Sequence, residues 1–325
     1  MLLIVLAACT GSDGSFEYLL DDTLQFQHLQ AKGTHNSYHV ETTEIDEWHY
    51  THLPLDEQLG RQGVRQFELD INFDSENERY LVYHVPFLDE GTNCETLVDC
   101  LQAQKDWSDR NENHHPILTL LEPKDPFEAS TGAQMLAVLE EEVLSVWPKE
   151  RLVTPDLVRG DAVDLRQAMA DVGWPTLGEL RGRHLIVLHD GGSWVSNYLN
   201  GESTAGLAMF PDGGGDIDLL WAAVHTMNDP YDPDIATVVG ARHLVRTRAD
   251  SNVEEGRQND TSRREAAFAS GAHFISTDFP EPVDWTEYWV DIPHGSPSRC
   301  NPLTGPEECT SQDIENPGTL GLPWT

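Results

Sequence analysis

Short apolar runs alternate with amphipathic stretches over most of this chain. An alternating run predicts a first strand over roughly 24–35. Leu55 to Gln62 has the look of a short helix, stopped by Gly63. Two further strands are expected at Val64 to Phe73 and at Arg79 to Val85. Between 94 and 108, Leu97, Leu101 and Trp107 fall at helical spacing. Pro116 to Glu122 is almost continuous Ile/Leu, as a strand buried on both faces should be. Met135, Leu136, Leu139, Val143 and Val146 mark an amphipathic helix over 132–147. The rhythm continues with strands at Leu185 to Leu188, Trp221 to Met227 (the weakest), His243 to Val245 and His273 to Ser276, and with a helix over Arg257 to Ala269. Eight strand candidates separated mostly by helical patterns predict an α/β fold, a TIM (β/α)8 barrel with its chemistry at the C-terminal strand ends.

The length of 325 residues suits one such barrel. Residues 24–285 are expected to form it, after a leader and tether over 1–23 and before a disulfide-clipped tail over 286–325 rich in Pro, Gly, Ser and Thr. Charge alters the picture more. With 56 acidic and 20 basic residues the net charge is −36. No basic stripe exists to displace counterions, so nucleic acid is excluded as a partner. Most of this acidity reads as a hydrated surface, and it would repel an anionic lipid unless cations bridge or screen it.

Residues 1–9 form a short apolar run, too short to span a bilayer, that reads as the end of a secretory signal. Leu6-Ala7-Ala8-Cys9 resembles the lipobox of bacterial lipoproteins, which implies export and anchoring through Cys9. The other four cysteines allow three pairings. Local bridges 94–100 and 300–309 are the simplest, and an oxidising compartment fits them. No cysteine–histidine spacing suggests zinc.

The candidate chemistry sits at successive strand ends: Gly33-Thr34-His35-Asn36-Ser37-Tyr38, Phe67-Glu68-Leu69-Asp70, Tyr83-His84 and Glu122-Pro123-Lys124. These stretches, in this order, together with Arg246-Thr247-Arg248-Ala249-Asp250 and Ser276-Thr277-Asp278, resemble the X-region of phosphatidylinositol-specific phospholipase C. The exported, Ca²⁺-dependent bacterial branch is the most similar, and the likeness spans roughly 27–280. The resemblance implies a distorted barrel and a two-step cleavage of an inositol phospholipid. The inositol 2-hydroxyl attacks phosphorus, diacylglycerol leaves, and a cyclic inositol phosphate forms. It implies His35 and His84 as the catalytic pair, His84 as general acid. His35 would stabilise the phosphorane or share base duty, with Glu68 as the rival base. It implies Asn36, Glu68, Asp70 and Glu122 as Ca²⁺ ligands, hard oxygen donors suited to that ion. Lys124, Arg246 and Arg248 are expected to contact phosphate or inositol.

Two other readings share the barrel. One is a glycerophosphodiester phosphodiesterase, which the His35-Asn36 pair fits less well than the His-Arg pair usual there. The other is a non-catalytic Ca²⁺-dependent surface binder, which loss of a histidine would have suggested. No separate lipid-binding module or protein partner is visible, and Trp48 and Tyr50 are candidates for contact with a lipid surface.

Overall fold

Ten strands follow one another along the chain in a computed structural model that describes residues 16–320 except Gly191, Asn200 and Ser296. They are β1 (Leu29–Thr34), β2 (Val64–Asp74), β3 (Arg79–Val82), β4 (Ile117–Pro123), β5 (His184–Leu188), β6 (Phe210–Pro211), β7 (Val224–Thr226), β8 (Leu244–Arg248), β9 (Phe274–Thr277) and β10 (Arg299–Cys300). Eight are parallel staves in the order β6-β5-β4-β2-β1-β9-β8-β7. A single parallel bridge, Asp212 to Val224, brings the two ends of this order together. The result is the expected (β/α)8 barrel, nearly closed.

Side-chain parity explains the barrel. Along β4, Leu118 and Leu120 join Ala31, Leu185, Val187, Leu244 and Phe274 in one buried cluster, the barrel interior. Ile117 and Leu121 have the opposite parity and pack outward with Leu101, Leu139 and Trp147, which belong to the surrounding helical layer. A strand apolar on both faces therefore shows no alternation. The helix Leu97–Arg110 begins where the Thr96 side chain accepts a hydrogen bond from the Asp99 N–H at 3.1 Å. On β1, Gly33 lies so close to β2 that a Cβ would come within 2.0 Å of Gln66 Oε1, so only glycine fits there.

Two staves differ from expectation. The run at 79–85 is not a barrel strand: β3 folds back antiparallel on β2, with Ile71 opposite Val82 and Asp74 opposite Arg79. The missing stave is β6, whose two residues are too short to carry any periodicity. The first strand also starts later, because Phe26–His28 forms a 3₁₀ turn.

Tyr288 and Val290 still bind Ala249 and Phe279, just beyond the C-terminal ends of β8 and β9, but from Arg299 onward the chain packs at the opposite end of the barrel. There β10 pairs antiparallel with the start of β1, Leu29 opposite Cys300. Glu315 is buried against Arg65 at the start of β2, with Arg65 Nε donating to Glu315 Oε2 at 2.9 Å. Cys94–Cys100 and Cys300–Cys309 are both bridged, so the local pairing is the one formed. Closing a nine-residue separation restricts the unfolded chain. Replacing Cys300 and Cys309 together with serine is therefore expected to lower stability by ~2–3 kcal/mol, measured as a fall in urea midpoint. An unchanged midpoint would show that the bridge contributes nothing.

Candidate active site

The staves that bury apolar residues near one end of the barrel turn the same parity into chemistry at the other. Continuing Ala31 and Gly33 gives His35; Gln66 is followed by Glu68 and Asp70, Leu120 by Glu122, Val187 by His189, and Leu244 by Arg246 and Arg248. All these ionisable side chains line one pocket of about 240 Å³ with Asn36, His84, Lys124 and Asn228. The nine residues expected at the site are thus brought together.

His35 follows β1 and sits 2.8 Å, through Nδ1, from Asp278 Oδ1 just beyond β9. His52 holds the His35 carbonyl at 2.9 Å. Burial first, and then the nearby Arg248 and Arg246 cations, keep this imidazole neutral, well below its ordinary pKa. A neutral ring that donates Nδ1–H to a carboxylate has its lone pair on Nε2. Asn36 adopts a left-handed φ of 42°, a turn that asparagine tolerates, immediately after the histidine.

His84 lies two residues beyond β3. Its Nδ1 is 2.9 Å from Asp89 Oδ2, and the other oxygen of Asp89 is 3.0 Å from the buried His39 Nε2. Burial opposes ionisation of Asp89, but hydrogen bonds from His39 and His84 outweigh it and bring its pKa to about 2. Trp48 packs edge-on against the His84 ring at 4.9 Å, whereas Tyr50 is buried beside His39 and His52.

The carboxylates occupy the pocket wall between β2 and β4, where Asp70 is in register with Glu122. Lys124 Nζ spans them, 2.9 Å from Asp70 Oδ2 and 2.7 Å from Glu122 Oε1. Glu68 Oε2 pairs with the Arg246 guanidinium, which also meets Asn228. Burial raises the pKa of Asp70 against the pull of Lys124. For Glu68, burial acts the same way but Arg246 overcomes it, and the pKa falls. Asp70 is fully buried and its Oδ1 accepts no hydrogen bond, a costly arrangement unless a cation is present. Three carboxylates, an amide and one orphaned buried oxygen suit a hard divalent cation. Lys124 and Arg246 supply positive charge to the same oxygens, so their contacts here are to candidate ligands. Arg248 is held 3.3 Å from Asp278 Oδ2.

Asn228, Asp89 and Asp212 have no role predicted from sequence, and His189 is expected there only as a strand-end residue that could touch substrate. His189 directly follows β5 and had a legible signal, its parity with Leu185 and Val187. Its Nδ1 is 2.6 Å from Asp212 Oδ2. Asp89 and Asp212 lie in irregular segments, where neither periodicity nor motif marks a residue.

The fold agrees with known structures. A calcium-dependent phosphoinositol-specific phospholipase C from Pseudomonas sp. superposes with a TM-score of 0.61 at 20% identity, covering 80% of this chain and 92% of that one. A Ca²⁺-dependent phosphatidylinositol-specific phospholipase C from Streptomyces antibioticus gives 0.58 at 17% identity, covering 79% and 96%. A phosphatidylinositol-specific phospholipase C from Staphylococcus aureus gives 0.51 at 13%, covering 84% and 93%. No curated protein matches the sequence. The class is that of phospholipase C barrels. More narrowly, the family model for Ca²⁺-dependent phosphoinositide phospholipase C matches residues 24–82 and 80–302, and the chain belongs to that family. Its enzymes are phospholipases and Ca²⁺ is the family's metal.

Proposed function

We propose that this protein cleaves phosphatidylinositol, or a closely related inositol phospholipid, to diacylglycerol and a cyclic inositol phosphate. The observation that carries this reading is the pair of carboxylate-held histidines facing the carboxylate-lined pocket. The attacking 2-hydroxyl must lose a proton and the departing glycerol oxygen must gain one. His35, neutral with its lone pair on Nε2, takes the first proton. Glu68, the rival base, already pairs with Arg246 and is one of the proposed metal ligands. His84, fixed through Nδ1 by Asp89, gives its Nε2 proton to the glycerol oxygen. Arg248, beside Asp278, offers positive charge to the phosphate and stays buried enough to act through low dielectric. Asn36, Glu68, Asp70 and Glu122 would hold Ca²⁺, which when bound makes the 2-hydroxyl more acidic and offsets phosphate charge.

The two disulfides accord with an oxidising compartment. Export as a lipoprotein anchored at Cys9 would hold the barrel beside a membrane; Cys9 lies among residues 1–15, outside the described residues.

Phosphorus NMR of products from phosphatidylinositol micelles tests the reading. A cyclic inositol phosphate signal is expected with Ca²⁺ and is expected to vanish with EGTA. A signal that survives EGTA would remove the metal from the chemistry, and no product from any inositol lipid would remove the substrate.

A further inference from the structure

Glu68, Glu122 and His189 each turn one ligand atom to a common point, all within 4.8 Å of one another. The two carboxylates come from β2 and β4, and the imidazole from just after β5, the next stave round the barrel. Glu68 meets Arg246 through Oε2 and Glu122 meets Lys124 through Oε1, which leaves one oxygen of each outside those pairs. His189 is held as a metal-bound histidine is. Its Nδ1 is tied to Asp212 Oδ2 at 2.6 Å, which fixes the ring and leaves Nε2 as the nitrogen a metal would take in place of a proton. Asp212 is itself fixed, since its Oδ1 accepts backbone N–H groups from Gly214 at 2.9 Å and Thr226 at 3.0 Å. Beside this group, the fully buried Asp70 keeps an oxygen without a hydrogen-bond donor.

We propose that His189 is a direct ligand of the metal at this site, so that the centre is a mixed oxygen–imidazole set that takes Mn²⁺ as well as Ca²⁺. The proposal rests on the metal reading given above and goes beyond its all-oxygen ligand set. Imidazole adds little for Ca²⁺, which prefers oxygen, but strengthens binding of first-row divalent ions. Mn²⁺ therefore competes with Ca²⁺ here more strongly than at an all-oxygen site. Asp212 acts as a positioning residue, through the ring it orients.

The test uses the full chain loaded with Mn²⁺ and reads the metal by electron spin-echo spectroscopy, which detects a directly bound nitrogen. Modulation from ¹⁴N is expected in the wild type, lost in His189→Gln and retained in His35→Gln. Mn²⁺ affinity, from the free-ion signal, is expected to fall at least ~10-fold in His189→Gln and ~10–100-fold in Asp212→Asn. The Asp212 variant keeps the question open to measurement if His189→Gln does not fold. The proposal is overturned by Mn²⁺ that does not bind the wild type, by a bound ion without nitrogen modulation, or by modulation that persists in His189→Gln. None of these outcomes depends on lipid cleavage. A protein that binds Mn²⁺ through His189 but leaves phosphatidylinositol intact would overturn the substrate and keep this ligand.

Discussion

Replacing His84 with alanine is expected to slow cleavage of phosphatidylinositol by ~10²–10⁴-fold, the usual worth of a positioned proton donor. The reason is the leaving group. A glycerol alkoxide is a strong base and departs poorly unless protonated as the bond to phosphorus breaks. Asp89 fixes His84 by Nδ1 and leaves Nε2 for that transfer. An inositol phosphodiester with an aryl leaving group needs no such proton. On that substrate His84→Ala is expected to retain most of its rate, whereas His35→Ala is expected to be slow on both, because the 2-hydroxyl must be deprotonated in either case. Equal losses on the two substrates in His84→Ala would show that His84 binds or shapes the site and is not the acid.

Replacing Glu315 with alanine is expected to cost ~3–5 kcal/mol of stability, the effect of removing one partner of a buried ion pair. Arg65 and Glu315 are both completely buried, and Arg65 also lies 4.6 Å over the Trp107 ring. Burial alone would raise the Glu315 pKa, but Arg65 and the nearby His115 outweigh it and bring the pKa to about 2. A carboxyl whose pKa is depressed on folding contributes stability that is full above its unfolded value, 4.5 here. That contribution is lost as pH falls from there toward about 2. Urea midpoints of wild type and Glu315→Gln are therefore expected to differ most near neutrality and to converge below pH 4. A gap that widens on acidification would reverse the assignment. The site stands at the far end of the barrel, so any loss of activity in this variant should follow the unfolded fraction.

The barrel was legible because its inner and outer faces both needed apolar residues, and β4 shows it directly: every residue from Ile117 to Leu121 is buried. The same rule explains the two misread strands. Arg79 to Val85 carries good strand chemistry, and nothing local distinguishes a hairpin partner from a stave. Phe210 and Pro211 make a stave through the packing of Phe210 with Trp174, a contact set by tertiary structure. At the site, His35, Glu68, Asp70 and Glu122 were readable because each follows or closes an apolar run, whereas Arg246 and Arg248 were readable only through the family resemblance. That Lys124 or Arg65 could pair with Glu68 or Asp70, and that Arg246 could bridge an acidic neighbour, was readable, but which of these pairs would form was not. Lys124 clasping Asp70 and Glu122, Arg246 clasping Glu68, and Asp89 joining two histidines all depend on loops and on register between strands distant in sequence.

The single bridge between β6 and β7 makes the barrel a cylinder with a zip. Seven seams are stitched by strand pairing and the eighth chiefly by Asp212, which lies at that junction, binds the backbone of Thr226 across it and grips His189 at the pocket. Opening of the wall and disorder of the pocket are therefore one event there. Whatever engages His189 from inside also fastens the cylinder shut, and a slack zip would be felt first as a loosened imidazole.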